Sequence, residues 1–144
     1  MRKCNLPRMK KAPLPLAETL DGTLGFEILD QSEDRATARV AVSDAVRQPL
    51  GLVHGGVYAA LAESLASSTT FKAVYPDGMT AMGLSNHTSF LRPVTEGTVH
   101  AEAHRRHRGR TTWLWEVEFT DDEGRLCALS RVTMAVRPLP GSGS

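Results

Sequence analysis

Residues 48–70 read QPLGLVHGGVYAALAESLASSTT, and this stretch decides the fold. Pro49 and three glycines open it, and no helix breaker follows before Pro76. Its body is rich in alanine and leucine, so the sequence predicts one helix from near Gly55 to about Ala73. At ~1.5 Å per residue, such a helix is roughly 25–30 Å long. Small side chains cover nearly all of its surface, which is typical of a helix buried against a sheet.

Glu63 stands in the middle of this alanine-rich helix. A carboxylate is almost never fully buried without a partner or a task. No cation lies three or four residues from Glu63, and the next lysine is Lys72, so no helical ion pair neutralises its charge. Two interpretations remain open: Glu63 marks a solvated stripe of the helix, or it is a functional acid.

The start of the predicted helix is the sequence His54-Gly55-Gly56. Because glycine has no side chain, the backbone N–H groups there are not covered, and they lie at the positive end of the helix dipole. This arrangement suits an anion or a developing oxyanion, so we expect Gly55 and Gly56 to contact a substrate. The alternative is a plain glycine N-terminus with no ligand.

The composition limits the class of protein. A chain of 144 residues suits one domain, and its 41% hydrophobic and 23% charged content is ordinary for a soluble globular protein. The net charge of +1 gives no general attraction to nucleic acid or to an acidic membrane. No apolar run approaches the ~20 residues of a membrane span, and the basic N-terminus lacks the apolar core of a signal peptide. With only Cys4 and Cys127, the chain predicts no disulfide framework and fits a reducing cytoplasm.

The order of predicted elements is two strands, the long helix and four strands. This order indicates an α+β fold with an antiparallel sheet and one dominant helix. We expect a flexible arm over 1–15, one domain over 16–138 and a flexible tail over 139–144. A short helix over 16–20 should end at Asp21-Gly22. The first strand after the long helix, 79–91, should be interrupted near Asn86. The other predicted strands are 26–31, 35–42, 98–106, 111–120 and 126–136.

Familiar short motifs for chemistry are absent: there is no GxSxG elbow, P-loop, GxGxxG or CxxC. His100, His104 and His107 have a spacing that resembles metal ligands. In a strand, however, His100 and His104 share one face and His107 lies on the other. A metal site is therefore not favoured, and we expect no metal.

Positive charge is concentrated in the run HRRHRGR at 104–110. It is either a solvated turn or a phosphate site for a nucleotide-bearing substrate. Nucleic-acid binding is less favoured, because basic residues are not spread over a face and no aromatic platform accompanies them. Trp113 and Trp115 share one strand face and are expected in the core or in an interface.

The motif GLVHGGVYAALAE resembles that of hotdog-fold acyl-CoA thioesterases. Four further pieces resemble the same family: TLDGTLGF, SNHTSFLRPVTEG, TTWLWEV and DDEGRLCALS. The likeness covers roughly 16–138 and is greatest to the 4-hydroxybenzoyl-CoA thioesterases whose acid is a helix Glu. Phenylacetyl-CoA thioesterases of the same branch usually carry Asp there. The resemblance implies a curved sheet wrapped around the helix, a dimer of dimers, and a cytoplasmic aryl-CoA thioesterase without metal or organic cofactor.

The resemblance also implies roles for individual residues. Glu63 is then the nucleophile or general base that attacks the thioester, and the Gly55 N–H is the oxyanion donor. Gln48 is a polar helper near the carbonyl. Ser67 stands where relatives have Thr, and its hydroxyl would hold water.

Coenzyme A contacts follow from the same resemblance. Arg92 and Thr111 match positions near the phosphates. Arg110 stands where relatives have a small hydroxyl residue, and their C-terminal phosphate-binding Arg falls on Pro140 here. The resemblance therefore implies a rearranged phosphate site in which Arg110 compensates. Ser68 stands where an acid of the relatives selects the 4-hydroxyl, which leaves the acyl group open.

Helix geometry adds a constraint on Gly55 and Glu63. The two are eight residues apart, so one helix separates them by ~12 Å. Groups that touch one carbonyl must lie within ~3 Å of it. If both act, they belong to antiparallel helices of different subunits, and the active site is shared across a two-fold interface.

Two other functions remain open. One is a hotdog acyl-thioester dehydratase that uses His54 and Glu63 as base and acid. The other is a non-catalytic acyl-CoA-binding module, in which binding survives the loss of Glu63.

Overall fold

The computed structural model describes residues 14–141. Most of the predicted N-terminal arm and the last three residues of the predicted tail lie outside the described residues. The two α-helices are α1 (Leu20–Leu24) and α2 (Gly55–Val74). The six strands are β1 (Phe26–Gln31), β2 (Arg35–Ala41), β3 (Met79–Phe90), β4 (Thr98–Arg108), β5 (Thr112–Thr120) and β6 (Leu126–Pro138). Single 3-10 turns occur at Leu16–Glu18, Asp44–Val46 and Tyr75–Asp77.

The strands form one antiparallel sheet in the order β1-β2-β4-β5-β6-β3. Helix α2 packs on one face of this sheet, chiefly against β3 and β6. The α+β class and the single dominant helix are as predicted. Strands β1 and β3 are the sheet edges, so the second backbone edge of β3 has no partner strand among residues 14–141. No helix among the described residues is long and apolar enough to span a membrane.

The core lies between α2 and the inward face of the sheet. Leu61 and Leu65 of the helix are fully buried, which contributes about 1.5–3 kcal/mol each relative to exposure. Trp113 and Trp115 of β5 are buried as well, as the alternation of the strand predicted. The Trp115 Nε1–H donates to Thr70 Oγ1 at 2.8 Å, so the indole fixes the helix to the sheet while its polar atom is satisfied.

Helix α1 corrects one prediction. Asp21-Gly22 does not end a helix over 16–20; it lies inside α1, which is capped at its C-terminus by Gly25 with a φ of 76°. A Cβ at Gly22 would collide with the carbonyl oxygen of Leu16. The glycine therefore permits a close approach of two chain segments, and Gly25 supplies the left-handed stop.

Strand β3 corrects a second prediction, because it runs unbroken through Asn86. Its pairing with β6 shifts instead between Gly83 and Ser85, which marks a β-bulge. A Cβ at Gly83 would lie 3.0 Å from Glu63 Oε1. The irregularity thus falls where the strand passes the helix carboxylate.

Candidate functional site

The N-terminus of α2 is capped by His54. Its backbone is extended (φ −64°, ψ 133°), and its Nδ1 accepts a hydrogen bond from the Gly56 N–H at 2.8 Å. The cap therefore occupies one of the two N–H groups predicted to face a substrate. It also occupies the Nδ1 lone pair of His54, which is consequently not available there as a base.

The Gly55 N–H remains open. No acceptor for it is found among residues 14–141. A groove of about 450 Å³ lies beside it and is largely apolar. The lining residues are Gln48, Leu52, Val53, Gly55, Tyr58, Phe90, Leu91, Arg92 and Pro93. The groove thus joins the open donor to two polar side chains that the sequence assigned to the site, Gln48 and Arg92.

Phe90 explains why residue 55 is glycine. A Cβ at Gly55 would lie 2.8 Å from Phe90 Cζ, so the aromatic ring packs directly against the glycine Cα. The ring is 60% exposed and stands at the end of β3. An exposed phenylalanine beside an open N–H donor makes one wall of the groove aromatic.

Gln48 is held in the loop before the helix. Its N–H donates to the Leu52 carbonyl oxygen at 2.7 Å, and its side-chain Oε1 accepts from the Leu50 N–H. No partner for its side-chain NH₂ is found in the described part of the chain. This orientation leaves Gln48 with donors for a carbonyl in the groove.

Glu63 lies in a different cavity. It is exposed in the single chain, and the surrounding cavity of about 200 Å³ is lined by Glu63, Gly83, Leu84, Ser85 and Asn86. No ion pair to Glu63 occurs within residues 14–141. The carboxylate therefore stands unneutralised against β3, and one chain does not bring it to the groove of Gly55.

The inner face of β3 carries a chain of polar contacts that the sequence did not predict. Asn86 Nδ2 donates to the Ala59 carbonyl oxygen at 2.9 Å, and Thr88 Oγ1 donates to Asn86 Oδ1 at 2.8 Å. Thr88 also lies 2.8 Å from Oγ of Ser130, which is fully buried. The available signal was the run SNHTS, which places polar residues on the strand face that should be apolar.

The two serines after Glu63 differ in their surroundings. Ser67 is half-buried and lies one helical turn after Glu63, on the same face. Ser68 Oγ accepts from Gln31 Nε2 at 2.8 Å, and the same amide reaches Thr69 at 2.9 Å. The Ser68 hydroxyl is therefore committed to β1, whereas Ser67 has no such partner among the described residues.

The predicted phosphate ligands lie at opposite ends of the sheet. The Arg92 N–H donates to the Cys127 carbonyl oxygen, whereas the Thr111 carbonyl oxygen accepts from Val136. Cys127 and Val136 are nine residues apart on β6, a span of ~30 Å. A single chain therefore does not bring Arg92 together with Arg110 and Thr111.

Most of the basic run is used within the fold. Arg105 and Arg108 both pair with Glu33, and their guanidinium carbons lie 4.7 and 5.3 Å from the Trp113 ring centroid. Arg106 pairs with Glu116 at 2.8 Å. Of the four arginines in 104–110, Arg110 alone has no ion pair within the described residues. Residues 104–108 thus belong to strand β4 and not to a solvated turn, and Arg110 follows the strand.

The three histidines do not form a metal centre. His100 Nε2 lies 2.8 Å from Asp122 Oδ1, and this hydrogen bond is the main reason that the pKa of Asp122 lies below its usual value. His104 pairs with Glu102 at 2.8 Å. Among residues 14–141 there is no group of three or more His, Cys, Asp or Glu side chains suited to a metal ion.

Tyr58 is a buried residue of the groove that the sequence analysis did not single out. It is 4% exposed, and its ring packs edge-on against Phe119 at 5.3 Å. Its hydroxyl has no hydrogen-bond partner among the described residues. Burial raises the pKa of Tyr58 to about 12, so the phenol stays neutral at physiological pH.

The chain is similar to proteins that are named as hydrolases. The family model described as the thioesterase superfamily matches residues 50–128. The 1,4-dihydroxy-2-naphthoyl-CoA hydrolase of Listeria monocytogenes is 36% identical over 118 residues, which are 82% of this chain and 95% of that protein. A mutant of thioesterase PA1618 from Pseudomonas aeruginosa superposes with a TM-score of 0.82 at 33% identity, covering 86% of this chain and 89% of that one. A mutant of thioesterase SAV0944 from Staphylococcus aureus gives a TM-score of 0.79 at 28% identity, with 83% and 98% covered.

Proposed function

Because the chain belongs to the thioesterase superfamily and is a thioester hydrolase with the hotdog fold, we propose that it hydrolyses the coenzyme A thioester of an aromatic acid. The observation that carries this proposal is the pair of half-sites on one helix. An open N–H donor lies beside an apolar groove at the start of α2, and an unneutralised carboxylate stands further along the same helix.

The two half-sites supply the two needs of thioester hydrolysis. The Gly55 N–H stabilises the oxyanion that develops on the thioester carbonyl, with the Gln48 side chain as a second polar contact. Glu63 attacks the carbonyl carbon or removes a proton from the attacking water. Ser67, one turn from Glu63, holds that water. Coenzyme A leaves as the thiol, and the aromatic acid is the second product.

Spacing in a relative supports the assignment of Gln48 and Glu63 to one site. In SAV0944, crystal structures exist of one variant with a glutamine replaced by alanine and another with a glutamate replaced by alanine. Those two positions are 15 residues apart. Gln48 and Glu63 are also 15 residues apart in this chain.

An aromatic acyl group is supported by the groove and by a relative. Phe90 and Tyr58 line the groove beside Gly55, and aromatic walls favour an aromatic ring as the ligand. The Listeria monocytogenes relative acts on a hydroxylated naphthoyl-CoA. The proposed substrate is therefore 4-hydroxybenzoyl-CoA or a related aryl-CoA.

We further propose that the site is shared by two copies of the chain. One helix holds Gly55 and Glu63 ~12 Å apart, which is too far for both to touch one carbonyl. The unpaired edge of β3 offers the place for a second copy to pair by a two-fold axis. Antiparallel pairing there would also bring Arg92 of one copy near Arg110 and Thr111 of the other, for the phosphates of coenzyme A. Two such dimers would make the predicted dimer of dimers.

The test is a thiol-release screen over benzoyl-, 4-hydroxybenzoyl-, 1,4-dihydroxy-2-naphthoyl-, phenylacetyl- and aliphatic CoA esters, with Glu63→Gln beside the native enzyme. We expect the aryl esters to have the highest kcat/KM. The variant should keep substrate binding and lose about 10²-fold or more in kcat, because the amide cannot act as nucleophile or base. A variant that retains more than about a tenth of kcat would remove Glu63 from this role.

The same screen separates the alternatives. A 3-hydroxyacyl thioester tests dehydration, for which the use of His54 Nδ1 as the helix cap gives no support. A non-catalytic binding module would bind aryl-CoA without thiol release, and its binding would survive Glu63→Gln.

A further inference from the structure

We propose that Asn86 is the positioning residue for Glu63, acting through the backbone of the helix turn on which Glu63 stands. The inference rests on the proposed function of Glu63 and names a group that controls the same site. It is carried by hydrogen bonds on the inner face of β3.

Strand β3 is joined to helix α2 by a side-chain hydrogen bond. In an α-helix, the Glu63 N–H donates to the Ala59 carbonyl oxygen, four residues earlier. Asn86 Nδ2 donates to the same oxygen at 2.9 Å. A carbonyl oxygen has two lone pairs and accepts both. The strand is thereby bonded to the peptide group that begins the turn of Glu63.

The Asn86 side-chain amide is held in one orientation. Its Oδ1 accepts the hydroxyl proton of Thr88 at 2.8 Å. Because that proton is used, Ser130 must donate to Thr88 across the 2.8 Å between their oxygens. Ser130 is fully buried on β6, so breaking this chain would leave a buried hydroxyl without a partner. The orientation of Asn86 is thus set from inside the core.

Strand β3 is irregular where it passes Glu63, because its pairing with β6 shifts at the bulge between Gly83 and Ser85. At Gly83 the strand passes so close to Glu63 that a Cβ would lie 3.0 Å from Oε1. The bulge makes room for the carboxylate and Asn86 fixes the strand one helical turn away. Together they define the cavity that holds Glu63.

The experiment measures kcat and KM of aryl-CoA hydrolysis for Asn86→Ala and for the matched pair Thr88→Val and Thr88→Ser. Displacing a catalytic group by about 1 Å costs about 10²-fold in rate, so we expect Asn86→Ala to lower kcat by about 10–100-fold with KM within about threefold. Thr88→Val should also lower kcat, whereas Thr88→Ser, which keeps the hydroxyl, should have a kcat close to that of the native enzyme. Ser89→Ala, the next residue on the strand, is the control and should resemble the native enzyme.

A second measurement separates positioning from general stability. In the Glu63→Gln background, Asn86→Ala should cost less than about a further twofold in kcat, because its effect passes through the missing carboxylate. An equal loss in both backgrounds would overturn the inference, as would native kcat in Asn86→Ala or equal activity of the two Thr88 variants. A fully active Glu63→Gln enzyme would overturn the proposed function and this inference with it. An inactive Glu63→Gln beside a fully active Asn86→Ala would overturn the inference alone.

Discussion

A mixture of two inactive variants tests whether Gly55 and Glu63 serve one site from different copies. Gly55→Pro removes the oxyanion N–H, and a proline is tolerated in the first helical turn. His54 has the extended backbone (ψ 133°) that a residue before proline requires. A Cβ at position 55 would, however, lie 2.8 Å from Phe90 Cζ. Every protein in the experiment therefore carries Phe90→Ala, which removes this collision.

The expected activities follow from the typical cost of each lesion and from random pairing of the two proteins. Loss of one oxyanion donor costs about 10²–10³ in kcat, so Gly55→Pro alone should be nearly inactive, and so should Glu63→Gln. In a mixed dimer one site combines both lesions and the other combines neither. If equal amounts pair at random, half of the dimers are mixed and half of their sites are intact. The mixture should thus recover roughly a quarter of the Phe90→Ala activity.

The assay is thiol release after the two proteins are refolded together, with different affinity tags to show that mixed dimers form. Gly55→Ala in the same background is the matched control, since it adds the same Cβ and keeps the N–H. That control should remain active as a homo-oligomer. If mixed dimers are isolated and are as inactive as their parents, Gly55 and Glu63 do not act on one carbonyl across the interface.

Two further predictions concern binding and stability. Arg92→Ala and Arg110→Ala should raise KM far more than they lower kcat, because phosphates remote from the thioester are bound equally in ground and transition states. The control is Arg106→Ala, because the Arg106 guanidinium already pairs with Glu116. If the Arg92 and Arg110 variants lose as much activity on a short thioester without the nucleotide, the assignment is contradicted. Tyr58→Phe should stabilise the fold at neutral pH by up to about 1–3 kcal/mol, because it removes a buried hydroxyl without a partner. The raised pKa of Tyr58, about 12 against ~10 when unfolded, contributes stability that is complete below pH ~10 and lost as pH rises towards about 12. Denaturant unfolding across this range should show that loss in the native chain and a smaller one in Tyr58→Phe.

Local sequence was sufficient for most of the fold. Helix α2 (Gly55–Val74) matches the prediction closely, because its alanine-rich body and glycine start are local signals. Glycine was the main source of error. Gly22 packs against Leu16, six residues earlier, and Gly83 packs against Glu63, 20 residues earlier; neither contact leaves a trace in a local pattern.

The candidate site was predictable only in part. The ~12 Å between Gly55 and Glu63 follows from helix rise alone, so the proposal of a shared site could already be made from the sequence. Which arginines are free of ion pairs could not be predicted, because that depends on tertiary partners such as Glu33. Asn86 was missed for the same reason, since its contact to Ala59 joins two elements whose register only the folded chain reveals.

The alanines of α2 restrict how this enzyme can evolve. Ala62 and Ala66 are fully buried, so the helix backbone lies close to the sheet and larger side chains there would push the two layers apart. The helix, and the acid it carries, is therefore a fixed element during divergence. New acyl groups have to be accommodated by changes in the surrounding walls, namely the loop before the helix and strand β3. Drift in those walls can alter substrate preference while the chemistry is inherited unchanged.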